Sequence, residues 1–340
     1  MKKAYTFDDV ALVPQYNNIP SRTEPVLDTW ITTKKKIQSP LLAANMDTVI
    51  SPELARVLIK NGSVPIFHRF MAIETQRALV REFQNQCFIS CGLNTDLNEI
   101  LSLVDEGAWG VCIDIAHGHS ERMIKFIQNI KRLNKDVEVI AGNVCSAMGY
   151  HDLVNAGADA VKVGIGPGAA CTTRMVTGFG MPQFSAIYEC AEVAKKLRVP
   201  LIADGGIRSS RDIVLALAAG ASTVMIGKLF AQTEESAGSQ NGTVEYRGQA
   251  SERFQNDYFG GLKQSTVAEG IHFQLPIAGS AQALIDKLLG GLRSGLTYGG
   301  ARNIKELQHK AEFRAVGPGY LKESMPRTEP TALLQETMAN

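Results

Sequence analysis

The chain has 340 residues, with 35 lysines and arginines against 34 aspartates and glutamates. This balance gives no basic surface for a nucleic-acid partner, and the longest apolar runs fall well short of the ~18–20 residues that cross a bilayer. Because no apolar signal core follows Lys2 and Lys3, the sequence predicts a soluble, cytoplasmic protein whose partners are small molecules or further copies of itself.

Eight short apolar runs alternate with amphipathic segments along the first two thirds of the chain. Segments such as SPELARVLIKNG, SERMIKFIQNIKRL and SRDIVLALAAGA carry apolar residues at helical spacing. This alternation predicts parallel strands with crossover helices, and eight units close an α/β fold of the (β/α)8 TIM barrel type, with a doubly wound sheet as the alternative. The runs end near Asn45, His68, Gly92, Gly118, Asn143, Gly166, Gly206 and Lys228.

Polar residues follow directly after these runs. In barrels of this type, the catalytic residues lie on the loops after the strands. A solvated loop residue or a helix cap explains any one of them equally well, but their joint placement favours an active site. They are Asn45, Asp47, His68, Arg69, Asp114, His117, Asn143, Cys171, Asp204 and Lys228.

A polar segment rich in glycine and serine, residues 231–279, comes after the eighth run. Segments of this length inside a compact domain are usually lids or disordered pieces, so we expect a mobile lid. The following stretch SAQALIDKLLGGLRSGL predicts a helical C-terminal tail. The chain is therefore expected to form a single domain, residues 1–340, without a second domain.

The six cysteines do not form the dense pattern of a disulfide scaffold. Cys87 and Cys91 are spaced C-x3-C, but no second pair at zinc-ribbon spacing accompanies them, so core packing is favoured over a metal site. Cys112 and Cys145 lie in or beside apolar runs and are also expected to pack. Cys171 differs because it follows Gly-Pro-Gly in a loop, which is a typical place for a nucleophile.

The loops after the seventh and eighth runs, ADGGIRSSRD and MIGKLFAQ, predict a phosphate site. Gly205 and Gly206 let backbone amides approach an anion closely, and a helix that starts near Ser209 or Ser210 directs its positive end to the same point. Asp204 is placed for a ribose diol. A plain strand-to-helix turn, which also uses glycine, is the alternative.

Four stretches resemble the IMP dehydrogenase/GMP reductase family: AANMDT, VGIGPGAACTTR, ADGGIR and GGLRSGLTYGGA. Similarity runs from TFDDVALVP to about Glu323, and the Cys-Thr-Thr-Arg loop is highly specific to the family. The stretches CIDIAHGHS, TGFG and GGLKQSTVAEG resemble the reductase branch. The chain also has no room for the paired CBS regulatory domain that dehydrogenases commonly insert after the second strand.

This resemblance implies an NADPH-dependent reductive deamination of GMP to IMP and ammonia through a covalent cysteine–purine thioimidate. It implies Cys171 as the nucleophile, and Thr173 and Glu269 as the groups that handle protons for the departing amine. It also implies a homotetramer. The implied substrate-binding residues are Asp204, Gly205, Gly206, Gly227, Lys228, Gln249, Ala250 and Gly270; the cofactor-binding residues are Asp114, Ala116 and Asn143; and carbonyls of Gly166, Gly168 and Cys171 would hold a monovalent cation, K⁺.

The sequence departs from the family pattern at three positions. Ala169 replaces a phosphate-binding serine, Lys228 replaces another serine of the dehydrogenases, and Gln249 replaces a methionine. An alanine side chain donates no hydrogen bond, so we expect the Lys228 ammonium to offset the loss as a point charge.

Two other functions compete with the reductase. A dehydrogenase without its regulatory insert would convert IMP to XMP with NAD, but that branch uses an Arg-Tyr pair in the lid, and ERFQNDYFGG contains no such step. A non-catalytic purine-nucleotide-binding protein would keep the phosphate loops and could lose the thiol. The presence of Cys171, Thr173 and Glu269 together argues against that function.

Overall fold

The computed structural model describes residues 1–326, so residues 327–340 of the expected domain lie outside the description. A short 3-10 helix at Phe7–Asp9 precedes three short strands: β1 (Val10–Leu12), β2 (Thr29–Trp30) and β3 (Lys36–Ile37). Strands β2 and β3 form a hairpin that places Ile31 and Ile37 in the inner core of the barrel. This hairpin closes the amino-terminal end of the barrel.

Eight parallel strands surround that inner core and are nearly closed into a barrel, in the order β4-β11-β10-β9-β8-β7-β6-β5. Every one of the eight predicted strands is present, and the predicted TIM barrel is confirmed. The strands are β4 (Leu41–Ala43), β5 (Ile66–Phe67), β6 (Phe88–Cys91), β7 (Gly110–Asp114), β8 (Glu138–Val144), β9 (Ala160–Val163), β10 (Leu201–Asp204) and β11 (Thr223–Ile226).

Helices cover the outside of the barrel and bury their apolar faces against the strands. Several begin at a serine whose hydroxyl accepts a backbone N–H, as Ser51 does from Leu54 and Ser120 from Met123. Such a cap stabilises a helix by about 1 kcal/mol. The helices are α1 (Pro52–Lys60), α2 (Ile73–Glu82), α3 (Leu97–Asp105), α4 (Glu121–Leu133), α5 (Ala147–Ala156), α6 (Thr173–Thr177), α7 (Gln183–Leu197), α8 (Ser210–Ala218) and α9 (Lys228–Ala231).

The segment expected to be a lid contains regular structure of its own. An antiparallel sheet of β12 (Ser239–Gln240), β13 (Thr243–Arg247) and β14 (His272–Pro276) flanks α10 (Glu252–Phe259). Val244 and Tyr246 of β13 are buried, so this small sheet packs on the barrel. The mobility of the segment stays a prediction.

The predicted C-terminal helix is confirmed as α11 (Ala281–Tyr298), and it is followed by α12 (Ile304–Lys310), β15 (Phe313–Ala315) and α13 (Gly319–Glu323). Helix α11 packs closely on α8, because a Cβ atom at Gly295 would come within 2.5 Å of the Val214 side chain. Strand β15 pairs antiparallel with β1, which ties the tail to the start of the chain. Within residues 1–326, no helix combines the length and the apolarity needed to cross a bilayer.

Candidate active site

A cleft lies at the carboxyl ends of the barrel strands, where the loops after β4, β7, β8, β9 and β10 meet. Parallel strands end at the same edge, so residues distant in sequence converge there. Eleven of the residues singled out from the sequence line this cleft: Asn45, Asp114, Ala116, Asn143, Gly166, Gly168, Cys171, Thr173, Asp204, Gly205 and Gln249.

Two of these cleft residues, Cys171 and Thr173, form a hydrogen-bonded series with Glu269, a third residue predicted from the sequence. The Cys171 Sγ donates to Thr173 Oγ1 at 3.3 Å, and that hydroxyl donates to Glu269 Oε2 at 2.9 Å. A thiol, a hydroxyl and a carboxylate in this order can pass a proton from the sulfur to the carboxylate. The hydrogen-bonded series therefore offers a candidate nucleophile and a route for its proton.

Main-chain hydrogen bonds join the segment that carries Cys171 to the segment that carries Glu269. The Ile271 N–H donates to the Ala170 carbonyl at 2.9 Å, and the Thr172 N–H donates to the Glu269 carbonyl at 3.0 Å. Cys171 and Gly270 form an isolated antiparallel bridge between these bonds. The end of the lid segment is thus paired with the cysteine loop like a strand, which brings Gly270 beside the nucleophile.

Other cysteines have a different environment. Burial raises the pKa of Cys87, Cys112 and Cys190 to about 12, so these thiols stay protonated and unreactive. Cys145 is half-buried, and burial raises its pKa as well. Cys171 is partly exposed and lines the cleft.

Two glycine loops meet at one end of the cleft. Gly205 and Gly206 have φ angles of +91° and +80°, which L side chains rarely adopt. A Cβ atom at Gly205 would lie 3.2 Å from the Gly168 nitrogen, so a side chain there would fill the space between the loops. Glycine at this position therefore lets the two loops approach each other, and the Gly205 N–H donates to the Met225 carbonyl at 3.3 Å.

The structure adds Tyr246 to this end of the cleft, and it exposes the Lys228 side chain to solvent. A Cβ atom at Gly227 would lie 2.5 Å from Tyr246 Oη, so the buried tyrosine packs directly on the Gly227 backbone. Lys228 begins α9 with an exposed side chain that has no hydrogen bond or ion pair within the described part of the chain. The only sequence signal for Tyr246 was its place in an alternating run.

A buried lysine that the sequence analysis missed connects two predicted residues. Lys162 Nζ donates to Asp114 Oδ1 at 2.7 Å and to Asp204 Oδ2 at 3.0 Å. Burial disfavours its charged form, but the two carboxylates outweigh that effect and raise its pKa above the usual range. Asn143 Nδ2 also donates to Asp204 Oδ2, at 2.9 Å. The signal was available, since Lys162 interrupts the apolar run AVKVGIG.

Some sequence candidates lie outside the cleft. His68 is buried and its Nδ1 accepts the Phe70 N–H, while burial lowers its pKa to about 4, so it is a neutral structural residue. Asp47 accepts from Arg247 Nε at 3.0 Å, and Arg247 Nη1 also donates to Asp257 at 2.5 Å. This ion cluster attaches the lid segment to the loop after β4.

Residues 4–327 match the family model described as the IMP dehydrogenase / GMP reductase domain. The chain belongs to this family. It is therefore an oxidoreductase of purine metabolism, and the family suggested by the Cys-Thr-Thr-Arg loop is confirmed.

Relatives with both activities are present within the family. The chain is 36% identical to a GMP reductase of Shewanella pealeana over 90% of its own length and 93% of that protein. It is 48% identical to an inosine-5'-monophosphate dehydrogenase of Aquifex aeolicus over 66% of its length, a match that spans about half (48%) of that relative. A dehydrogenase of Nitrosopumilus maritimus is 30% identical over 96% of this chain and 98% of the relative.

A solved structure shares the fold over nearly the whole chain. A GMP reductase variant of Trypanosoma brucei in complex with guanosine 5'-monophosphate superposes with a TM-score of 0.91 at 26% identity. The match covers 97% of this chain and 98% of that one.

Proposed function

We propose that the protein is a GMP reductase that converts GMP to IMP and ammonia with NADPH. The observation that carries this proposal is the hydrogen-bonded chain from Cys171 through Thr173 to Glu269. It offers a nucleophile for C2 of the purine together with a proton carrier for the amine at the same carbon.

In the first step, the Cys171 thiol passes its proton through the Thr173 hydroxyl to Glu269. The Cys171 sulfur then forms a bond to C2 of guanine, and the bond between C2 and the exocyclic amine breaks. The proton held by Glu269 returns to the departing amine, so that ammonia leaves and a thioimidate remains on Cys171.

NADPH, when bound, supplies the hydride that replaces sulfur at C2, after which the Cys171 thiolate is regenerated and IMP is released. The balance is one GMP, one NADPH and two protons converted to IMP, NADP⁺ and ammonium. The cleft suits a nicotinamide carboxamide, since Asn143 Oδ1 lines it as a buried acceptor with no partner among the described residues. Asp114, on the same side of the cleft, offers a second acceptor.

The remaining ligands follow from the glycine loops. We propose that the Gly205–Gly206 loop lies against the phosphate, with the Gly206 N–H as a main-chain donor and Lys228 as an added charge, and that Asp204 accepts the ribose hydroxyls. For the monovalent cation, the Gly168 carbonyl already accepts the Cys171 N–H at 3.0 Å, and its second lone pair is available to K⁺. The homotetramer implied by the resemblance and the cytoplasmic location predicted from the sequence remain predictions.

Dehydrogenation of IMP is the second candidate, favoured by the 48% identity to the Aquifex protein. Against it, the lid supplies no Arg-Tyr step: Arg253 pairs with Asp257 at 3.6 Å, and Tyr258 packs on Phe70 with ring centroids 5.5 Å apart. The change in absorbance of the reduced nicotinamide distinguishes GMP reduction, which consumes NADPH, from IMP dehydrogenation, which produces NADH. We expect GMP-dependent NADPH oxidation with release of ammonia; NADH production from IMP and NAD, without GMP-dependent activity, would overturn the reductase.

A further inference from the structure

Lys162 is a buried lysine whose ammonium contacts two carboxylates. Its side chain is 2% exposed, and it lies between the carboxylates of Asp114 and Asp204. Removing an ammonium from water is costly, and replacement of a whole buried ion cluster, its carboxylates included, by apolar side chains is often neutral or stabilising. Stability alone therefore does not explain a charged residue on β9.

The two carboxylates belong to different parts of the cleft. Asp114 ends β7 and Asp204 ends β10, and the sheet order β10-β9-β8-β7 puts Lys162 between them. Their side chains are 13% and 19% exposed, so each faces the cleft while one oxygen contacts the ammonium. Because both oxygens contact the same nitrogen, the two negative charges lie close together and repel unless Lys162 is charged.

Resting on the purine-nucleotide site proposed above, we propose that Lys162 is a positioning residue for both ligands. Its ammonium holds one oxygen of each carboxylate, which aims the free oxygen of Asp204 at the ribose diol and that of Asp114 at the nicotinamide side. Asn143 donates to the same Asp204 oxygen, Oδ2, as Lys162 and also to the Gly164 carbonyl at 2.8 Å, but its amide is neutral and cannot replace the charge.

The test measures how much the ribose hydroxyls contribute to binding. Dissociation constants for GMP and for 2′,3′-dideoxyguanosine 5′-monophosphate are determined by calorimetry. In the wild type, hydrogen bonds from the diol to a carboxylate should make GMP bind about tenfold or more tightly than the dideoxy nucleotide. In Lys162→Met, this ratio should fall to about threefold or less, while the phosphate contribution persists, and the KM for NADPH should rise.

Lys131→Met is the matched control. Lys131 is a partly buried lysine, 17% exposed and paired with Asp159 at 2.5 Å, but it lies on α4 away from the cleft. Its replacement should lower the melting temperature and leave the GMP-to-dideoxy ratio unchanged. A folded Lys162→Met protein that keeps the wild-type ratio would refute the positioning role.

Lys162→Gln covers the case in which the methionine variant does not fold. Glutamine keeps a hydrogen-bond donor near the two carboxylates but carries no charge, so the ratio should again fall by at least about threefold. A folded glutamine variant with the wild-type ratio would overturn the proposal equally. GMP and IMP carry the same ribose, so repeating the measurement with IMP and its dideoxy analogue gives a result that does not depend on the reductase assignment.

Discussion

Replacing Thr173 with valine should stop proton transfer without disturbing the fold. Valine matches threonine in shape but lacks the hydroxyl that lies 3.3 Å from the Cys171 sulfur and 2.9 Å from the Glu269 carboxylate. Loss of a positioned acid–base group typically slows catalysis ~10²–10⁴-fold, which corresponds to about 3–5 kcal/mol of activation free energy. We expect a fall of this size in kcat for NADPH oxidation, with the dissociation constant for GMP within about threefold of wild type.

Thr172→Val provides the matched control for this experiment. Thr172 is the neighbouring threonine and is similarly half-buried, but its hydroxyl makes no capping hydrogen bond to α6. Its replacement should leave kcat nearly unchanged. The proposed proton route is wrong if Thr173→Val retains kcat within about threefold of wild type, or if the two valine variants lose activity equally.

Three further outcomes are expected. Cys171→Ser should abolish turnover while GMP affinity, measured by calorimetry, changes by only a small factor; more than a few per cent residual rate would exclude a covalent role. Lys228→Ala should weaken GMP binding by about tenfold or more and spare guanosine, since a charged contact contributes roughly 1.5–3 kcal/mol; equal loss for both ligands would indicate misfolding. His68 has a pKa of about 4 in the folded protein and ~6.5 in the unfolded chain. As the pH falls from ~6.5 towards 4, the unfolded chain therefore binds a proton that the folded protein does not bind, and the free energy of unfolding decreases. Urea unfolding should show a loss of about 2 kcal/mol between pH 7 and pH 5 that His68→Gln lacks, and identical pH dependence in both proteins would contradict this.

The barrel was predictable because its signals are local. Each strand is a short apolar run that ends in glycine or a polar residue, and each helix has an apolar stripe of helical period. The sheet of the lid segment lacked such signals. Its strands are two to five residues long, β14 alternates between exposed and half-exposed residues, and glycine-rich and serine-rich stretches adjoin them. Composition therefore suggested a loop where the structure has pairing.

The site residues that lie within one contiguous motif were predictable from the sequence. The loop with Cys171 and Thr173 is contiguous, and the resemblance added Glu269. The contacts of Lys162 and Arg247 were not predictable, because they depend on distant partners: 42 residues separate Lys162 from Asp204, and 200 separate Arg247 from Asp47. A charged residue inside an apolar run indicates a buried group with charged partners, since burial of a lone charge is rarely tolerated.

The pairing between the cysteine loop and residues 269–271 uses main-chain atoms, and every amino acid except proline can make such bonds. Side chains along the lid segment can therefore change while its register against the nucleophile is kept. The barrel can thus stay the same while the sequence of the lid segment changes. Substitutions within residues 231–279 can therefore change the residues that face the cleft while the barrel stays the same.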